Sequence, residues 1–143
     1  IVATASSITQ TFTILLAAVA GISLIVGGIG IMNSMLISVS QRIREIGLRK
    51  AVGARPVHII TQFLIESSFV TLLGGIIGIL FGIFIAYVAA LIIPRLGYDW
   101  QFLVPLSSVV IGFSVSLFIG IIFGLYPAFK ASRVSPMEAL RYE

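Results

Sequence analysis

The chain has 143 residues, of which 59% are hydrophobic and only 10% charged, with a formal net charge of +4. A water-soluble domain carries about a quarter charged residues, so the composition argues against a soluble globule, and a mean hydropathy of +1.17 points to lipid as the solvent. The absence of cysteine excludes disulfides, thiolate metal sites and cysteine nucleophiles. The positive charge lies beside apolar runs, so membrane orientation accounts for it without nucleic acid as a partner.

The chain opens at Ile1 with neither an initiator Met nor a positive n-region. This reads as a piece of a longer protein and not as an intact signal peptide. No charged residue occurs between Ile1 and Gln41; then Arg42, Arg44, Glu45, Arg49, Lys50 and Arg55 arrive within fourteen positions. Such a switch marks a helix that spans a membrane and delivers a charged segment to the cytoplasmic face. The first span is placed at 13–39, with Asn33 as its main polar interruption, read as an interhelical hydrogen-bond donor. The apolar stretch is long enough to exceed a core of ~30 Å, so its first part is expected to project as a stalk. Ile8, Phe12, Leu15, Val19, Ile22, Val26 and Ile29 alternate spacings of four and three, as a helix-packing seam does.

Residues 41–53 read QRIREIGLRKAVG. Arg42, Glu45 and Arg49 share a face, and Glu45 precedes Arg49 by four, a pair worth about 0.2–0.5 kcal/mol. Ile43, Ile46, Ala51 and Val52 offer apolar contacts elsewhere around the turn. Gly53 suits a helix end and Pro56 the start of the next helix. The residues alone leave two readings open: an amphipathic surface helix between spans, or a basic loop that only contacts anionic lipid.

The second span is placed at 63–94, beginning near Phe63 or Phe69. Glu66, close to its entrance, is read as pairing with Arg42 or Arg55. Pro94, Gly97 and Asp99 mark the loop at 95–105, where Tyr98 and Trp100 suit a membrane interface. The third span is placed at 106–126. Pro127 is expected to end or bend it. In the tail at 127–143, Ser135 and Glu138 have capping-box spacing with Pro136 at the first helical position, predicting a short terminal helix. The charge bias puts the basic segment and the tail, with Lys130, Arg133 and Arg141, inside. The loop and the N-terminus are then outside.

Gly74, Gly78, Gly82, Ala86 and Ala90 form one stripe of small residues; Gly112, Ser116, Gly120 and Gly124 form another. Lipid does not drive helices together by hydrophobicity, so close approach through small side chains predicts packing within the chain or in a dimer. There is no G-x-x-x-x-G-K-[ST] phosphate cradle. The single histidine, His58, reads as a surface or interfacial residue. No carboxylate lies near the middle of a span. No catalytic, cofactor or metal site is therefore assigned. The fold class expected is an all-α membrane protein: three transmembrane helices, a short cytoplasmic coupling helix after the first, and a short C-terminal cytoplasmic helix.

The segment Arg44-Glu45-Ile46-Gly47-Leu48-Arg49-Lys50-Ala51-Val52-Gly53-Ala54 closely resembles the hallmark of the FtsX/MacB family of ABC transporter permeases. Gly28-x-Gly30-Ile31-Met32-Asn33, Gln62-Phe63-Leu64-Ile65-Glu66 and Gly74-Gly75-x-x-Gly78 match it in order. So do Phe123-Gly124-Leu125-Tyr126-Pro127-Ala128 and Ser135-Pro136-Met137-Glu138-Ala139-Leu140-Arg141-Tyr142-Glu143, the whole being nearest the MacB-like branch. The resemblance implies a non-catalytic permease of the inner (cytoplasmic) membrane, paired as a homodimer or with another permease. It also implies docking onto an ABC ATP-binding subunit or domain, fused or separate, which would carry ATP and magnesium. A periplasmic or extracellular adaptor is a further partner the resemblance allows. Relatives of this kind have an upstream span and extracytoplasmic domain, which this stretch lacks.

By residue match, ATPase coupling falls on Arg42, Arg44, Glu45, Gly47, Arg49, Lys50, Gly53 and Arg55. MacB-like members pass ATP-driven movement through the spans to the outer domain. An alternative within the family is an FtsX-like scaffold that regulates an extracellular enzyme. A third reading, an ion-coupled transporter fragment, needs charges deep in the bilayer, and the spans carry almost none.

Overall fold

The computed structural model describes residues 2–97 and 99–141, and the side chains of all of these except 2–5, 138, 140 and 141. The interfacial role expected of Tyr98, the capping role of Glu138, the charge of Arg141 and the Tyr142-Glu143 end of the tail motif lie outside what it describes. The chain is all-helical. Helix α1 (Val2–Gln41) is followed by α2 (Ile43–Ala51) and α3 (Pro56–Ile92). A 3₁₀ turn (Ile93–Leu96), α4 (Leu106–Ser132) and α5 (Pro136–Arg141) complete it. Among the described residues three helices are long and apolar enough to cross a membrane: Ser6–Gln41, Pro56–Leu96 and Leu106–Ser132.

The helices are longer than the predicted spans. With 40 residues, α1 extends about 60 Å at 1.5 Å per residue; α3, with 37, extends about 55 Å. Helix α3 begins at Pro56, where the sequence places the start of the next helix. Arg55 sits in extended conformation before it and proline occupies its first turn, where a missing N–H costs nothing. At the far end, Gly97 closes the 3₁₀ turn with a φ of 86°. Tyr87 of α3 and Phe102 of the following loop meet edge to face at 5.8 Å. Pro127 does not end α4, which continues to Ser132 with the proline inside it. Pro127 is fully buried. Neighbouring helices hold such a ring in place and make an interior proline tolerable in a membrane bundle.

Helices α3 and α4 form the tightest pair, and small residues set their approach. Ser67 is fully buried, with its hydroxyl 3.0 Å from Leu64 O and 2.9 Å from Gly120 O. A Cβ on Gly124 would collide with Ser67 Oγ, one on Gly120 with Thr71 Oγ1, and one on Gly75 with Ser116 Oγ. Gly112 sits at ordinary contact distance from the Ile79 side chain, 3.4 Å from a Cβ placed there. The α4 stripe Gly112, Ser116, Gly120 and Gly124 therefore lies in the interface.

The α3 partner stripe is Ser67, Thr71 and Gly75. A Cβ added to Gly74, Gly78 or Gly82 would meet nothing within 4 Å. These glycines make no close contact among the described residues, and Gly74 and Gly78 line an open apolar cleft of about 840 Å³ between α1, α3 and α4.

Helix α1 leans on α4, where Gly28 abuts the Phe123 ring. Residues 6–20 are exposed throughout, including the seam positions Ile8, Phe12, Leu15 and Val19. Asn33 is exposed too, and its side chain makes no hydrogen bond among the described residues. The interhelical bond expected of it is therefore not made inside this chain. Met35, Val39, Ile46, Ile59, Phe63, Ala128 and Ala131 form a buried cluster where the basic ends of the spans converge. This cluster joins α1, α2, α3 and α4, so the elbow region is the best-packed part of the molecule.

Candidate functional site

The candidate site is the elbow that α2 makes between the first two spans. Only Arg42 separates α1 from α2, with φ −107° and ψ 14°. Its N–H bonds back to Ser38 O and Val39 O at 3.1 and 3.2 Å, and its carbonyl accepts from Ile46 N at 3.0 Å. The ladder is nearly continuous while the axis changes direction. The helix ends because Gly53 adopts φ +99°, which side chains disfavour. The closing bonds run from Gly53 N to Lys50 O and from Ala54 N to Arg49 O, both at 3.0 Å. Alanine at Gly53 should cost about 1–2 kcal/mol from the left-handed backbone alone, seen as a lower midpoint of thermal unfolding in detergent.

The two faces of α2 differ in kind. Ile46 and Gly47 are buried. A Cβ on Gly47 would collide with Ala139 Cβ of α5. Lys50 also turns inward, donating from Nζ to Ser132 O at 2.8 Å and to Val134 O at 2.6 Å. On the opposite face, Arg44, Leu48 and Val52 follow one another at spacings of four and are exposed, Leu48 by 57% and Val52 by 82%. The apolar contact expected of Val52 is therefore absent within the chain, and Ala51 is exposed as well. Val57 on α3 and Met137 on α5 add exposed apolar side chains at the same end.

Charges tie the elbow to α3. Arg49 Nη2 lies 2.5 Å from Glu45 Oε1 while Nη1 donates to Gln62 Oε1 at 2.6 Å, so one guanidinium bridges two helices. Arg42 pairs with Glu66 at 3.6 Å. Of the two partners the sequence allowed for Glu66, the fold brings Arg42. These side chains are a third to a half exposed, so each pair contributes modestly, about 0–1 kcal/mol. Arg44 and Arg55 are exposed and make no side-chain hydrogen bond or ion pair among the described residues. Of the eight predicted coupling residues, Arg44 alone stands beside Leu48 and Val52 on the open face. Arg42, Glu45 and Arg49 brace that face, Gly47 and Lys50 lie behind it, and Gly53 and Arg55 form the turn to α3.

Sequence reasoning passed over Leu48, Gln62 and Ala139 as site residues. The spacing of Arg44, Leu48 and Val52 carried the signal for the first. Nothing local signals the other two. The site holds no combination of groups suited to bond-making chemistry; among the described residues no three His, Asp or Glu side chains gather to hold a metal ion. It offers instead a rigid, partly apolar knob framed by cations, suited to contact with another surface.

Comparison with known proteins agrees with this architecture. Residues 17–136 match the FtsX-like permease C-terminal model. The chain is 50% identical over 138 residues to the macrolide export ATP-binding/permease protein MacB of Bdellovibrio bacteriovorus, covering 96% of this chain and 20% of that protein. It is 48% identical over 136 residues to the uncharacterized ABC transporter permease YknZ of Bacillus subtilis, covering 95% and 33%. It is 47% identical over 137 residues to the probable syringafactin export ATP-binding/permease protein SyfD of Pseudomonas syringae pv. syringae, covering 96% and 20%. The chain thus spans a fifth to a third of the length of these relatives. With three candidate spans, an exposed elbow between the first two, and a family match over most of its length, the chain belongs to the FtsX-like permease C-terminal family.

Proposed function

We propose that this chain is the non-catalytic membrane part of a MacB-like, ATP-driven export or mechanotransmission complex in the cytoplasmic membrane. Its basic end faces the cytoplasm and its N-terminus lies outside. The open face of α2 docks onto an ATP-binding subunit or domain, which binds and hydrolyses ATP with magnesium. Two copies, or this chain and a second permease, sit side by side, and movement started at the elbow passes along the spans to an extracytoplasmic domain or adaptor.

The observation that carries this reading is the exposed Arg44, Leu48 and Val52 stripe on a helix whose other face is buried. Apolar side chains at a charged, water-facing end are best accounted for by a partner that covers them. The names of the relatives, which pair "ATP-binding" with "permease", support the class of that partner. Leu48→Asp in the assembled complex is expected to weaken this contact by about 2 kcal/mol or more, seen as loss of transport-coupled ATP hydrolysis with membrane insertion intact. Cross-linking from Leu48→Cys should reach the ATP-binding polypeptide from the cytoplasmic side. Coupled hydrolysis retained in L48D, or reactivity of that cysteine from the exterior alone, would remove the assignment.

A further inference from the structure

We infer that Lys50 is not a contact for the ATP-binding partner but an internal strut that caps α4 and fastens the elbow to the third span. The carbonyl accounting at the end of α4 leads there. A helix leaves its last carbonyls without partners in its own ladder, and these ends commonly close with a left-handed glycine. Helix α4 has none: Arg133 follows it in ordinary right-handed geometry, φ −91°. Phe129 O accepts from Arg133 N and from the Ser132 hydroxyl, Lys130 O from Arg133 N, and Ala131 O from Val134 N. Of the next three carbonyls, those of Ser132 and Val134 accept from the Lys50 ammonium, more than eighty residues away in sequence.

A cation at this position also meets the negative end of the helix dipole. A compact ammonium with three donors can reach two converging carbonyls, whereas the planar fork of arginine is built for carboxylates. The approach is set by Gly47, whose missing side chain admits Ala139 of α5 against α2. With Ile46, Ala131 and Ala139 buried around it, the strut is part of a packed joint. The consequence is a route. Movement of α2 is delivered to α4 through Lys50. Lys50 is thus a positioning residue. That consequence for motion rests on the coupling reading above; the capping role does not.

Hydrogen–deuterium exchange on the full complex in membranes, with coupled ATP hydrolysis measured in parallel, tests this. Lys50→Met keeps the length and greasy stem and removes the donors. It should speed exchange of the Arg133 and Val134 amides about tenfold as the end of α4 frays, leave association with the ATP-binding partner unchanged, and lower coupled hydrolysis. Leu48→Asp should do the reverse, losing the partner with exchange at 133–134 unchanged. Unchanged exchange in K50M, together with loss of the partner, would make Lys50 a docking residue and overturn the strut. If K50M does not accumulate, Lys50→Gln, neutral and too short to reach both carbonyls, should show the same faster exchange, and normal exchange there also overturns it. Should L48D keep full coupling while K50M still frays α4, the docking assignment fails and the cap stands.

Discussion

Leucine in place of Gly124 is expected to stop the second and third spans from closing on each other. The site has no slack: an added Cβ already collides with Ser67 Oγ and lies 2.8 Å from Ser67 Cβ, before the rest of the side chain is counted. Ser67 and Gly124 are both buried, so the clash has no route into lipid. Overpacking of this kind costs about 1–3 kcal/mol and more where backbone must move. Separating the helices also breaks the Ser67 bond to Gly120 O, worth about 0.6 kcal/mol on average between membrane helices. In the lipid-like interior no hydrophobic term rewards re-association at a wider spacing.

Purified G124L should unfold well below the parent in detergent, or without a cooperative transition. Gly78→Leu is the matched control, because nothing in the chain lies within 4 Å of its added Cβ. It should stay within about 0.5 kcal/mol of the parent. Equal losses in the two variants would show that the α3–α4 register described here is wrong.

The second large effect is expected from Gly47→Leu, and it should separate folding of the spans from function of the elbow. The first added carbon collides with Ala139 Cβ, and Ala139 Cα lies only 3.6 Å away. Helix α5 has six residues, far below the ~12–15 that hold a helix alone. Pushed off α2, it has no reason to stay helical. The three spans pack through α3–α4 and α1–α4 contacts that Gly47 does not touch, so insertion and thermal unfolding of the bundle should change little. Trypsin cleavage after Arg133 should accelerate by about tenfold or more as the tail opens, and coupled ATP hydrolysis should fall with it. A variant with an intact, protease-resistant tail would mean that α5 can re-seat, and that Gly47 is small for another reason.

The three spans were legible in the residues, for a local reason, whereas the segment after the first read equally as an amphipathic helix or a basic loop. Partition into lipid depends on which side chains a segment carries, and amphipathic spacing shows within a few turns. Which way each face points was not legible. Val52 reads as an apolar contact beside Ile46, yet Ile46 is buried and Val52 is exposed. The orientation of α2 is set by α5 arriving against Gly47 from the other end of the chain. The residues by which α3 meets α4 were not legible either. Gly74 and Gly78 stand out as small, whereas Ser67 and Thr71 read as polar. In the bundle those two hydroxyls bond to carbonyls of their own helix, Leu64 O and Ser68 O, and the side chains act as small residues in the seam. Whether Pro127 ends or bends its span was left open for the same want of context, since burial against other helices keeps α4 running past it.

By itself the sequence determined that this protein is a set of membrane helices with a basic elbow, because hydration and hydrogen-bond demands are met or missed segment by segment. Only the tertiary structure decided that Lys50 turns inward to cap α4, that Arg42 rather than Arg55 meets Glu66, and that Arg44, Leu48 and Val52 face outward. Those outcomes depend on surfaces far apart in the chain fitting against one another, and such fit is a property of the assembled helices and not of any one of them.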